Sequence, residues 1–91
     1  MARATLELPS VLATVLGGGR ELAVEGDTLR QALEDGFRRH PQLRVHLFDE
    51  SGRLRRHVLC FLNQTNSRWF ENLDQELAEG DRITILQAVS G

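Results

Sequence analysis

Ala4-Thr5-Leu6-Glu7-Leu8 alternates apolar and polar residues with period two and is stopped by Pro9. The chain therefore opens on a half-buried strand whose Leu6 and Leu8 point into the core. A second alternating run, Arg20-Glu21-Leu22-Ala23-Val24, follows Gly17-Gly18-Gly19, residues that accept the positive φ angles of a hairpin connection. These two strands are expected to be antiparallel neighbours. Behind Gly26-Asp27-Thr28, the residues Leu29, Ala32, Leu33 and Phe37 recur at helical spacing, with Asp27 or Thr28 placed to cap the free N–H groups of the first turn. The spacing predicts a helix over about 28–39, stopped by Pro41.

Gln42 to Arg56 reads as a polar, Arg-rich connection, with Leu43, Val45, Leu47 and Phe48 as packing points and Asp49-Glu50-Ser51-Gly52 as an exposed turn. The apolar run His57-Val58-Leu59-Cys60-Phe61-Leu62 is long enough for a strand and too short for a helix standing alone. Val58, Cys60 and Leu62 share its core face, and Leu59 and Phe61 the other. A short strand is expected at Arg68-Trp69-Phe70, one helical turn at Leu73 to Leu77, and a last strand at Arg82-Ile83-Thr84-Ile85-Leu86 after Gly80-Asp81. This order is that of an α+β, β-grasp (ubiquitin-like) fold, a mixed sheet of about four to five strands with one main helix across one face. Residues 1–91 read as a single domain with a flexible C-terminal tail over 87–91.

Ninety-one residues, 41% of them apolar, provide one modest core and no second one. A net charge of -2 gives no basic field for phosphate backbones, so nucleic acid is not an expected partner. No long apolar stretch follows Met1-Ala2-Arg3, so no membrane association is expected, and a cytoplasmic location is. The lone Cys60 suits a reducing compartment and, on the core face, a structural role and not a nucleophile's. His40, His46 and His57 lack metal-ligand spacing, and Gly17-Gly18-Gly19 lacks the residues of a phosphate loop, so neither metal nor bound cofactor is expected. All eleven basic residues are arginine, which rules out isopeptide chains built on this protein.

Two segments carry a resemblance. Gly26-Asp27-Thr28-Leu29 opens the helix, and Leu73-x3-Leu77-x2-Gly80-Asp81-x-Ile83-x-Ile85-Leu86 runs into the small-residue tail Ala88-Val89-Ser90-Gly91. Together they resemble the ubiquitin-like sulfur carriers: the molybdopterin synthase small subunit, the thiamine-biosynthesis carrier and the cysteine-biosynthesis carrier. The resemblance implies that an ATP-dependent activating enzyme adenylates the terminal carboxylate. A sulfur donor then displaces AMP, and the thiocarboxylate passes sulfur to an acceptor held by a synthase subunit. ATP is consumed by the partner and nothing is bound by the carrier, which acts as a substrate or small subunit and not as an enzyme. The family pattern ends in two glycines; here Ser90 stands at the small residue before that pair and Gly91 at its first glycine.

On this reading the carboxylate of Gly91 is the reacting group. A residue without a Cβ lets the tail enter a narrow channel and turn there. Val89 is the tail's anchor, flanked by Ala88 and Ser90. Leu59, Phe61 and Leu86 fall on the open sheet face and form a docking patch, unless the Gln42 to Arg56 connection covers them. Arg53, Arg55, Arg56 and His57 make a basic cluster. Glu71, Asp74, Glu76, Glu79 and Asp81 are expected to make the region near the tail acidic, suited to a basic partner. Two other functions use the same residues: a binding module docking through Leu59, Phe61 and Leu86, and a ubiquitin-like modifier joined to lysines of other proteins.

Overall fold

The computed structural model describes residues 1–70 and 72–87. Strand β1 (Ala2–Glu7) pairs antiparallel with β2 (Glu21–Gly26), as the two alternating runs require. Between them Ser10–Leu16 forms a 3-10 helix that buries Leu12 and closes on Gly17 and Gly18, both at positive φ (73° and 107°). Helix α1 covers Leu29–Arg39 and buries Leu29, Ala32, Leu33, Gly36 and Phe37, the helical stripe of the sequence. At Gly36 a Cβ would lie 3.4 Å from Leu22 Cδ2 and Val24 Cγ1, so the helix rests closely on the first hairpin.

Of the two candidate caps, Thr28 does the work: its Oγ1 accepts from Gln31 N at 3.2 Å, and the Gln31 side chain reaches back to Asp27 N at 2.8 Å. The next two free N–H groups of α1 are met from the far end of the chain, Leu29 N donating to Gln75 O (2.9 Å) and Arg30 N to Leu73 O (2.8 Å). This corrects the helical turn expected at Leu73 to Leu77. Both leucines are buried, yet the segment is not helical: it bridges Glu76 to Thr28, and its carbonyls satisfy the start of α1 and not one another.

A second correction concerns the connection after Pro41. Pro41 ends α1 and also opens a second helix, α2 (Pro41–Leu47), since the first position of a helix needs no N–H. Leu43 and Leu47 are buried and Val45 is 66% exposed, so only part of the expected packing set is used. The Phe48 ring meets Phe37 edge-on at 5.0 Å, and α2 packs on α1 and the 3-10 segment, on the helical side of the sheet.

Strand β3 (Val58–Leu62) turns at Asn63 into the two-residue β4 (Thr65–Asn66), three residues earlier than the strand expected at Arg68-Trp69-Phe70. Ser67–Trp69 is instead a 3-10 turn, capped by the Asn66 side chain accepting from Arg68 N (3.0 Å). Strand β5 (Asp81–Gln87) completes a mixed sheet of order β2-β1-β5-β3-β4, in which only the β1–β5 pairing is parallel. Ile83 and Ile85 of β5, Val24 of β2 and Leu6 of β1 are fully buried beneath the helices.

Candidate functional site

Strand β5 lies in the middle of the sheet, held by β1 on one side and β3 on the other. Its pairing with β3 runs from Leu62↔Ile83 to Val58↔Gln87. Gln87 therefore belongs to the strand and not to the tail; β1 flanks β5 from Asp81 to Thr84, and β3 holds it from Ile83 to Gln87. Ala88, Val89, Ser90 and Gly91 lie outside the described residues.

The three apolar residues assigned to the open face come together there. Leu59 is opposite Leu86, and Phe61 is opposite Thr84. Opposed side chains of this kind stand about 4.5–5.5 Å apart at Cβ, so leucines, phenylalanine and the threonine methyl form one strip. Leu86 is 45% exposed and Leu59 and Phe61 are half-buried. The first part of the connection after Pro41 lies elsewhere, because α2 packs on α1 and the 3-10 segment.

Beside this strip, toward β1 and β2, Arg82 is paired with Glu7 (3.4 Å) and with Glu21, which are themselves opposed across the hairpin. The hydrogen bonds that the guanidinium donates to Glu21 and then to Glu7 hold its pKa above the ordinary value. That flank of the face thus holds one positive and two negative groups, a net charge of -1.

The acidic residues are not where the sequence placed them. Asp81 opens β5 and Gln87 closes it, six steps of about 3.3 Å, so Asp81 lies about 20 Å from Gln87, at the opposite end of the strand. Glu79 pairs with Arg3 at that end, while Asp74 pairs with Arg30, which lines a groove together with Arg53 and Arg68. Glu71 lies outside the described residues. Proximity in sequence misled because a strand separates its two ends by its full length.

The tail end of β5 is flanked instead by the stretch just before Val58: Arg53, Arg55, Arg56 and His57. Arg68 joins them, its Nη2 donating to Arg56 O at 3.0 Å. Sequence reasoning missed Arg68, which is brought back by the β3–β4 turn at Asn63-Gln64; that dipeptide was its only signal.

Cys60 is 1% exposed, and burial pushes its thiol up to about 12 against a hydrogen bond with Ser67 that lowers it, so no thiolate forms near neutrality. Among the described residues no group of three or more His, Cys, Asp or Glu could hold a metal ion, and no helix is long and apolar enough to cross a membrane. What the arrangement offers is a rigid strand end, an apolar strip and a charged margin, with no reactive side chain among them.

Comparison with known proteins agrees with this geometry. The ThiS family matches residues 10–91. The sulfur carrier protein CysO of Mycobacterium tuberculosis is 33% identical over 89 residues, covering 96% of each chain. Its crystal structure superposes with a TM-score of 0.87 at 32% identity, covering 94% of this chain and 99% of that one. CysO in the Amycolatopsis orientalis BexX/CysO complex gives 0.88 at 31% identity over 97% and 98% of the two chains. The small archaeal modifier protein 1 of Methanosarcina acetivorans gives 0.87 at 27% identity over 100% and 97%.

Proposed function

The chain belongs to the ThiS family of ubiquitin-like sulfur carriers, and from that premise we propose that its sulfur is carried on the carboxylate of Gly91. An ATP-dependent partner joins this carboxylate to AMP with loss of pyrophosphate. A sulfur nucleophile then adds to the carbonyl carbon, AMP departs, and a thiocarboxylate remains. The partner's ATP is needed because a carboxylate with a reference pKa of about 3.3–3.7 is ionised at neutral pH and has no leaving group. The chain itself holds no cofactor.

The observation that carries this reading is the anchoring of β5, on β1 from Asp81 to Thr84 and on β3 from Ile83 to Gln87. It supports a tail of four residues presented from a fixed point, beside an apolar strip on which an activating enzyme docks through Leu59, Phe61 and Leu86. Ala88, Val89 and Ser90 are then the tail residues the partner's channel holds. The occurrence of CysO in complex with BexX supports a carrier that works against a second protein, here a sulfur-accepting synthase subunit. The likeness to CysO favours cysteine biosynthesis over molybdopterin as the destination of the sulfur, and we place the protein in the cytoplasm.

Incubation with ATP, sulfide and the activating enzyme is expected to add about 16 mass units, as one oxygen is exchanged for sulfur through an activated acyl intermediate. An unchanged mass with an enzyme that loads its own CysO-type carrier overturns the proposal.

A further inference from the structure

Resting on that reading, we propose that the arginine cluster at the tail end of β5 is the contact for an acidic surface around the mouth of the activating enzyme's channel. Arg53, Arg55, Arg56 and Arg68 line a depression of about 400 Å³ beside Val58 and Ser67, where the β3–β5 ladder ends on Val58↔Gln87. Arg53, Arg56 and Arg68 are exposed. Arg55 is held in place, its Nε donating to Val45 O at 2.8 Å. Among the described residues none of the four has a carboxylate within 4.0 Å.

The acidic groups near the cluster are Asp49 and Glu50 on the neighbouring turn, and Asp74, which is paired with Arg30 in the groove that Arg30 shares with Arg53 and Arg68. Asp49 Oδ1 is already engaged by Ser51 N, Ser51 Oγ and Arg53 N, at 2.9, 2.6 and 3.1 Å. The remaining arginine charge is open to a partner.

Position makes the cluster specific. It lies at the Val58↔Gln87 end of the β3–β5 ladder, one residue along each strand from the Leu59↔Leu86 pair, so an enzyme seated on the apolar strip and receiving the tail reaches these guanidiniums at the strand end. The other flank of the strip, Arg82 with Glu7 and Glu21, is net negative. The far end of β5 is acidic, and the chain as a whole carries -2. A partner with acidic groups at its mouth is therefore drawn to one end of the molecule and repelled by the other, which orients the encounter tail first. The same polarity disfavours a nucleic acid, whose phosphates are met by an overall negative chain.

Titration of the labelled protein with hexaglutamate at about 50 mM salt, followed by amide NMR, is expected to shift residues 53–57, 68 and 87. These shifts should vanish at about 0.5 M salt and in R56E/R68E. With the activating enzyme, R56E/R68E is expected to be loaded about tenfold more slowly at low salt and nearly normally at high salt, while R3E at the opposite end stays within about twofold. Shifts scattered over the surface, equal loading of R56E/R68E, tighter binding of a thymidine oligonucleotide than of hexaglutamate, or head-to-tail self-association in sedimentation would each overturn the proposal. If the unsubstituted chain is never loaded, the sulfur-transfer reading fails, and the peptide titration still decides the surface.

Discussion

Leu59 stands opposite Leu86 across the β3–β5 ladder, on the face of the sheet opposite the buried Cys60 and Ile85. With Leu86 45% exposed, its replacement by glutamate removes little from the core. L86E is expected to change stability by no more than about 0.5 kcal/mol. Its affinity for the activating enzyme should fall by about tenfold or more, because apolar anchors near the centre of an interface dominate binding. Urea unfolding and a binding isotherm on one sample separate the two effects.

Deletion of Gly91 tests the other half of the site. Thermal unfolding is expected to be unchanged, and docking on the activating enzyme retained, while the gain of about 16 mass units is lost. A truncated chain that still loads sulfur places the reacting group elsewhere.

Gly26 closes β2 against the start of α1. A Cβ there would sit 2.7 Å from Ala32 N and 2.8 Å from Gln31 Cβ, closer than packed atoms tolerate. Gly26→Ala is expected to cost about 1–3 kcal/mol, read as a lower urea midpoint. Thr28→Ala, which removes the acceptor for Gln31 N, is expected to cost about 1 kcal/mol by the same measurement.

Cys60 makes a pH prediction. Burial raises its thiol from an ordinary 9.0 to about 12, so the folded chain keeps a proton that the unfolded chain releases between those values. This contribution to stability is complete below about pH 9 and is lost as pH rises toward 12. Cys60→Ala should flatten that alkaline decline. Iodoacetamide at neutral pH should leave the folded protein unlabelled and modify it once urea unfolds it.

The elements with clear periodicity were legible: both alternating runs, the α1 stripe ending at Phe37, and the two faces of β3. What escaped was structure set by partners distant in sequence. Leu73 and Leu77 have helical spacing, and only the unmet N–H groups of Leu29 and Arg30 explain why their segment is not helical. Pro41 reads as a stop, and its compatibility with the first position of α2 shows only once Leu43 and Leu47 are seen buried. At the site, the Leu59, Phe61 and Leu86 strip followed from alternation. The charge margin did not, because the direction of β5 carries Asp81 away from the tail and the β3–β4 turn brings Arg68 toward it.

The parallel pairing of β5 with β1 joins the beginning of the chain to its close. On the ribosome, the first hairpin and α1 emerge with the slot between β1 and β3 still vacant, and the sheet cannot close until residues 81–87 have been made. A product broken off before Asp81 lacks the central strand, exposes its apolar interior and is left to proteases. Synthesis thus checks itself: a chain that folds well enough to meet an activating enzyme is one that has already reached the strand leading to its sulfur-bearing end.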